Sequence, residues 1–453
     1  MQSVLSTRKT SYLRALYMLF IFILVVCLFP PRRQVYDVSA WYNHPGGRVI
    51  FSHAGGEATD IFTAFHPTEV WEQLDQFKIG KLDTSANSKK KERTFEQDLR
   101  ALRIQLQKAG YFDANPWYYT YKFASVLAIV TLSWYLLSIA GDSWAYRLAS
   151  ALAMAFFWQQ CGWLSHDFGH HQVFKNRIFN DLTTLLLGNV FQGFSLEWWK
   201  NKHNTHHAIP NTETSSEDKH NADPDIDTMP LLAWSKRMAK KAFDDNSSVA
   251  RFCVKYQALL YFPILFVARL SWAQQSLAFS LNLKTGWVDS LRKKELKYPL
   301  LEPLGLGIHY VCLFTMMFSY LNIVDGILYF VAAECLCGLL LAVAFGVGHN
   351  GMEVYENTEK PGFGEQQICT TRNIDDDPLG FTGWFMGGLH YQVEHHLFPS
   401  IPRHNLPKVR RFVEPLCRKH NIPYHSTSLI SGNVEVLKYL DHITQAVKEF
   451  PAM

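Results

Sequence analysis

The stretch from Lys122 to His171 decides the fold: KFASVLAIVTLSWYLLSIA, then GDSW, then AYRLASALAMAFFWQQCGWL, then S and HDFGHH. Two apolar runs of spanning length, Lys122–Ala140 and Ala145–Leu164, are separated only by Gly141, Asp142, Ser143 and Trp144, so they make a helical hairpin through a bilayer. The second run then stops at a cluster of histidines.

Working outward, Leu304–Ile323 and Ile327–Val347 form a second pair joined by Val324, Asp325 and Gly326. Two hairpins give four transmembrane helices. Leu182–Phe194 is too short to cross at about 1.5 Å per residue against roughly 30 Å of hydrocarbon, and is expected as a half-inserted or interfacial helix. Ala258–Leu281 is long enough, but Pro263, Arg269, Gln274 and Gln275 interrupt it. Lys236, Arg237, Lys240, Lys241 and Arg292–Lys294 lie in the long central loop, whereas the tight connections after the first and third spans carry no Lys or Arg. Positive charge marks the cytosolic side, which places that loop and both termini in the cytosol.

Composition agrees with a polytopic membrane protein carrying cytosolic mass. The 453 residues leave room for two or three domains, and 48% hydrophobic with 14% aromatic residues excludes a mainly disordered chain. A net charge of +4 is too small for a nucleic-acid binder that relies on neutralised phosphates, so no nucleic acid is expected. The mean hydropathy of −0.07 averages long apolar stretches with charged loops. Eight scattered cysteines with no C-x-x-C pair indicate neither a disulfide framework nor a zinc knuckle.

Three bunches of metal-binding residue types stand just outside apolar segments: His166, His170 and His171; His203, His206 and His207; Gln392, His395 and His396. Neutral imidazole is a common metal ligand, and spacings of three to five place successive rings on one helical face. The bunches share a membrane surface only if the number of crossings between His207 and His395 is even. Ala258–Leu281 should therefore lie in the interface and not span, which agrees with its Arg and Gln residues. Eight histidines plus Gln392 exceed the roughly six ligands one ion takes, which implies two metals. His349, at the cytosolic end of the fourth span, is a further candidate. A nitrogen-rich, thiolate-free set suits iron.

The three boxes, together with Trp198, Trp199 and Lys200, the Asp223–Asp227 stretch and Gly387–His404, resemble the membrane fatty acyl desaturases. The Gln in place of the first histidine of the third box is similar to the front-end subgroup. That resemblance implies a di-iron, O2-dependent enzyme of the endoplasmic reticulum membrane. It inserts a cis double bond between an existing one and the carboxyl end, with the nearest likeness to the fungal Δ6 type acting on linoleoyl and α-linolenoyl chains. Δ5 and sphingoid Δ8 desaturases and acyl hydroxylases share such a site. A catalytically dead heme or metal membrane protein is the rival outside catalysis. The substrate arrives as acyl-CoA or on a phospholipid, and no catalytic side chain is expected beyond the metal ligands. Removing hydrogen from unactivated methylenes is beyond any side-chain acid or base. Trp198, Trp199, Phe385 and Tyr391 are candidates to line the acyl channel, against ordinary packing.

Val35–Val38, the His44–Gly47 turn and Phe65–Pro67 resemble cytochrome b5, a small α+β unit. The resemblance implies a b-type heme held axially by His44 and His66, fed by an NADH–cytochrome b5 reductase. The implied order is an atypical segment over 1–34, a heme domain over 35–84, a linker over 85–115, a desaturase domain over 116–430 and a tail over 431–453. Met1–Gln34 matches nothing in that family, which carries a strand and helix there. Its apolar run Ala15–Phe29, flanked by Arg and Lys, reads as an anchor, a signal-like segment or an artefact of gene assembly. The last fits best, because a crossing here would put His44 in the lumen, away from its electron donor. A heme unit without its first strand would hold heme weakly.

Overall fold

The computed structural model describes residues 23–27, 33–41, 44, 46–81, 94–214, 222–244, 247–283, 296–356 and 360–448. At the N-terminal side a three-stranded antiparallel sheet forms from β1 (Ile23–Cys27), β2 (Arg33–Asp37) and β3 (Lys78–Lys81), in the order β1-β2-β3. A strand thus stands where no family element was expected. The sequence ILVVC is rich in the residues that suit a pleated surface, and it pairs with β2 from Ile23 opposite Asp37 to Cys27 opposite Arg33. The rest of the apolar run Ala15–Phe29 lies outside the described residues. Helix α1 (Thr59–Phe65) buries Phe62 against Tyr36, Val38, Ile50 and Leu74, the core of this unit.

The stretch expected as a linker over 85–115 is not merely a spacer. Ser88–Arg93 lies outside the described residues, but Phe95–Lys108 is helix α2. Thr94 accepts from the Gln97 amide while the Gln97 side chain accepts from the Thr94 amide, closing a capping box. Phe95, Leu99, Leu102 and Leu106 then fall on one face and pack against Ile368, Leu397, Val409 and Val413.

The membrane part is a bundle of α3 (Pro116–Ser138), α4 (Trp144–Gly169), α11 (Leu301–Phe318) and α12 (Ile323–Phe345), whose residue ranges follow the apolar runs of the sequence. Among the described residues three segments are long and apolar enough to cross: Pro116–Ser138, Leu301–Phe318 and Ile323–Gly348. The expected fourth, α4, has the length but not the apolarity, because Gln159, Gln160, His166 and Asp167 interrupt it. At 26 residues it extends about 39 Å, longer than the hydrocarbon layer, and its last turns, packed against Tyr119 of α3, carry the first histidines. Within the bundle, Ser133 donates to the Ser150 carbonyl at 2.9 Å and Ser150 donates back to Ser133 at 2.7 Å.

The two ambiguous apolar segments behave differently. Leu182–Phe194 is the second half of a helix that begins as α5 (Arg177–Thr184) and continues with wider turns over Leu185–Gln192, ending at Gly193 with φ 84°. At 16 residues it is about 24 Å long, too short to cross. Ala258–Leu281 is broken into α9 (Gln257–Leu265) and α10 (Ala268–Ser280), so it does not cross as one helix. The break lies on Gly338 of α12, where a Cβ would meet the Phe266 carbonyl oxygen at 2.3 Å. Arg269, at the start of α10, turns inward. It is buried, pairs with Glu334 of α12, donates to the Gln192 carbonyl at 2.6 Å and lies 3.6 Å from the Trp158 ring centre. A charge carried inward is thereby paired with the α12 carboxylate.

The remaining helices build a cap over the bundle: α6 (Leu196–Ala208), α7 (Lys236–Asp244), α8 (Ser248–Lys255), α13 (Phe363–Cys369), α14 (Phe381–Phe385), α15 (Gln392–Leu397), α16 (Leu406–Lys419) and α17 (Leu429–Lys448). Two short parallel pairs, β4 (Thr212–Glu213) with β5 (Tyr355–Glu356) and β6 (Asn373–Ile374) with β7 (Ser426–Thr427), tie the loops together.

Candidate metal centre

The cap brings the histidine bunches onto one spot. Helix α6 starts at Ser195, whose hydroxyl accepts from the Trp198 amide, and carries His203, His206 and His207 on successive turns. His203 and His207 lie four apart and share a face, whereas His206 points about 60° to one side of His203. The helix therefore serves two centres. His203 and His207 join His166, His170 and His395, and the ligand nitrogens of these five lie within 4.8 Å of one another. His206 joins His349 and His396 within the same limit. Box three divides the same way, with neighbours His395 and His396 aimed at different sets. The Gln392 side-chain amide reaches the second set, 2.7 Å from His349 Nε2.

In the first set, Nε2 of His203 lies 2.9 Å from that of His170 and 3.0 Å from that of His207, which is 3.1 Å from that of His395. Adjacent ligands at right angles around an ion with bonds of about 2.1 Å would stand about 3 Å apart. In the second set the outward nitrogens are occupied. His349 Nδ1 donates to the Thr370 carbonyl at 3.1 Å, His396 Nδ1 to Gln367 Oε1 at 2.8 Å, and His206 Nδ1 to Asp223 Oδ2 at 2.9 Å. A proton held on Nδ1 leaves the Nε2 lone pair facing inward. The buried Nε2 atoms of His166 and His396 have no hydrogen-bond partner. Crowded, inward-facing, unpartnered nitrogens are what a metal would satisfy, so the residues fit a pair of iron ions.

Electrostatics favour the ligating form. Burial, reinforced by the neighbouring rings, holds His170, His203, His207, His349 and His396 well below the usual imidazole value, and pulls His395 down to about 3. All of these are neutral. His206 is the exception: burial pulls it down, but the charge and hydrogen bond of Asp223 win and lift it to about 8.

His171 departs from the expectation. Gly169 ends α4, His170 caps it, and His171 turns into the left-handed region at φ 58°, so its ring leaves the helical face. Its Nε2 sits 3.0 Å from Asp181 Oδ1 and 3.0 Å from Lys200 Nζ, outside both sets. His309 and His390 lie outside both sets and bond elsewhere through one ring nitrogen each, to the Val190 carbonyl and to Asp376. Of the four aromatics offered for a channel, Trp199 stacks on His203 at 4.5 Å. Trp198 packs with Phe194 and Trp272, Phe385 with Trp163 and Leu389, and Tyr391 bonds to Asp376.

The sequence reading gave no role to Asp223, Gln367 or Arg403. Arg403 pairs with buried Asp167 beside His166 and also reaches the Trp163 carbonyl, so the segment after box three locks box one. Asp223 sat in a motif already noted, but its partner is set by tertiary packing.

In the N-terminal unit the rings of His44 and His66 stand 5.9 Å apart. Two imidazoles bound to opposite sides of one ion, each at about 2 Å, would place ring centres about 6 Å apart. His66 Nδ1 donates to the Phe62 carbonyl at 2.9 Å, leaving Nε2 for a metal, and burial pulls its pKa down to about 4. A Cβ on Gly46 would meet His44 Cε1 at 2.8 Å, so this turn needs glycine to let the ring in. These features fit a bis-histidine heme.

Comparison with known proteins came to the same place. The family model described as Fatty acid desaturase matches residues 142–428, and that of the Cytochrome b5-like Heme/Steroid binding domain matches residues 27–83. The chain is 37% identical over 433 residues to an Acyl-lipid (9-3)-desaturase of Physcomitrium patens, covering 93% of this chain and 76% of that protein. It is 34% identical over 426 residues to a Delta(8)-fatty-acid desaturase of Euglena gracilis, covering 92% and 96%. A Delta(6)-fatty-acid desaturase of Caenorhabditis elegans is 32% identical over 433 residues, covering 89% and 93%.

Proposed function

The chain belongs to the membrane fatty acid desaturases, di-iron O2-dependent oxidoreductases, in their front-end group with an N-terminal cytochrome b5-like domain, and on that premise we propose its substrate and residue roles. The substrate is an acyl chain that already holds a double bond, and the new cis bond enters on its carboxyl side. Δ6 placement in linoleoyl and α-linolenoyl chains is the reading to test first. The relatives' names support Δ8 and Δ5 placement as well. The observation that carries the proposal is the sorting of eight histidines into two sets, with Gln392 against the second.

In this reading His166, His170, His203, His207 and His395 hold one iron, and His206, His349 and His396 with Gln392 hold the other. When bound, the iron pair supplies the O2-dependent oxidising power that removes hydrogen from unactivated methylenes. The chain does the rest. Thr370, Gln367 and Asp223 fix ring orientation, and the burial of the imidazoles keeps water from competing. Trp199 lies over His203 and against His166 and His170, and forms the wall nearest the centre. His44 and His66 hold a heme that passes single electrons received from a reductase. α4 is the fourth crossing, and the cap faces the cytosolic side of an endoplasmic reticulum membrane.

Yeast expressing the chain and fed defined fatty acids tests the proposal by product double-bond position. A new bond between an existing one and the carboxyl end supports it, and conversion of saturated chains alone would overturn it.

A further inference from the structure

The heme unit does not hang loosely beside the metal centre; it is seated on it. Phe65, the last residue of α1 and the neighbour of His66, places its ring against that of His207 in the first metal set, edge to face at 6.2 Å. Arg100 of α2 grips the other end of α1. Its Nε and Nη2 bond Asp60 Oδ1 and Oδ2 at 2.6 and 2.7 Å, and Nη2 also bonds Glu57 Oε2 at 2.9 Å. Asp60 is nearly buried in this contact, with 9% of its side chain exposed.

Single bonds to backbone carbonyls also cross the seam, from Arg177 to Phe65 at 3.2 Å and from Lys360 to Ser52 at 3.1 Å. A two-toothed guanidinium–carboxylate pair fixes direction as well as distance, which a single lysine bond does not. A cavity of about 740 Å³ opens beside the contact, with Phe65, His66, Arg100, His170 and Phe398 on its walls. Beside this cavity the clamp bridges the seam, while Gly47–Phe51 lies against α6 and α1 against α13. Asp60 and Phe65 lie five residues apart on one short helix, about 7.5 Å along its axis, so holding the first turn holds the last.

We propose that Arg100 is a positioning residue which, by gripping Asp60 and Glu57, keeps Phe65 on His207 and so sets the path for electrons from the heme unit to the metal centre. The inference rests on His44 and His66 holding heme and on the histidine sets holding iron. Each transfer oxidises one ferrous heme to ferric and reduces one ferric ion of the pair. Two transfers, with two protons, O2 and the two substrate hydrogens, close the balance at two waters and one double bond, the electrons coming from NADH through a flavoprotein reductase.

The test uses the full-length protein in detergent with heme and iron loaded, reduced anaerobically and then mixed with O2 and substrate. Heme reoxidation is followed by absorbance, and amide exchange over 59–65 is measured in parallel. Arg100→Ala is expected to keep heme content and spectrum, to slow reoxidation by about tenfold or more, and to speed exchange in α1. Arg100→Lys should fall between. Asp60→Arg alone should be slow, and Arg100→Asp combined with Asp60→Arg should recover much of the rate, which excludes a general folding defect. Intact heme with unchanged reoxidation and exchange in Arg100→Ala would overturn the clamp alone. Lack of a bis-histidine heme spectrum in the unaltered protein would overturn the clamp and the heme reading together.

Discussion

Replacing Asp223 by Asn would separate the two metal sets. Asp223 is buried and uses both oxygens: Oδ2 accepts from His206 Nδ1 at 2.9 Å and from the Asn211 amide at 2.8 Å, while Oδ1 accepts from the Asp225 amide at 2.9 Å. Asn can place its one oxygen at the first position, but its NH2 then faces the Asp225 N–H, so one bond and the full charge are lost. A charge-assisted hydrogen bond in such a place contributes about 1.5–3 kcal/mol. Loss of a ligand's outer partner typically costs about 10–100-fold in metal affinity, or roughly 1.4–2.7 kcal/mol, so the two figures agree. The direction is fixed by His206: burial pulls that imidazole down and Asp223 is the main group that makes it more basic, with Asp225 adding less, so loss of the Asp223 charge weakens the donor. Iron retained per chain is measured against graded chelator. One of about two irons should leave the variant at about 10–100-fold lower chelator, while the other follows the parent curve. Superimposable curves for parent and variant would refute the role given to Asp223.

Further outcomes follow from the same geometry. His171→Ala should leave iron per chain unchanged while His203→Ala lowers it, because only His203 faces a metal set; equal losses in metal analysis would contradict the assignment. Gly46→Ala puts a methyl 2.8 Å from His44 Cε1 and should lower the heme absorbance of purified protein without loss of non-heme iron; full heme content would count against His44 as a ligand. Glu334→Leu strands Arg269 in the bundle and should destabilise it by about 3–5 kcal/mol in detergent unfolding, with most of that recovered by adding Arg269→Met. An unaltered unfolding midpoint in the single variant would show that the pair is not buried.

Much of the site was legible because metal ligands on helices obey a period. His203, His206 and His207 could be placed on one turn and a half from spacing alone, and His349 from its position at the end of an apolar run. What spacing could not give was the division into two sets, which depends on which neighbours α13 and α15 bring alongside. His171 was misplaced because helix was extended through Gly169, although glycine just before the last two histidines was a readable stop signal. The bundle was legible from hydropathy, α4 included, although the inner polar residues of α4 serve the site and lower its apolarity. Arg269 and Glu334 show the limit of reading segments singly. Each is an unwelcome charge in its own run, and only the break over Gly338 lets them meet. The capping box at Thr94 and the spacing of Phe95, Leu99, Leu102 and Leu106 were present in the sequence, and a helix there was missed because the charged run before it dominated the reading. Strand Ile23–Cys27 was hidden inside an apolar run whose length suggested a membrane segment.

Eight imidazoles gathered into two neighbouring sets form the binding site for iron. Metal analysis of detergent-purified, anaerobically reconstituted protein measures this without reference to substrate. It should return about two irons per chain in the metal sites, counted apart from heme iron, falling to about one in His396→Ala. One iron or none in the unaltered protein would contradict it.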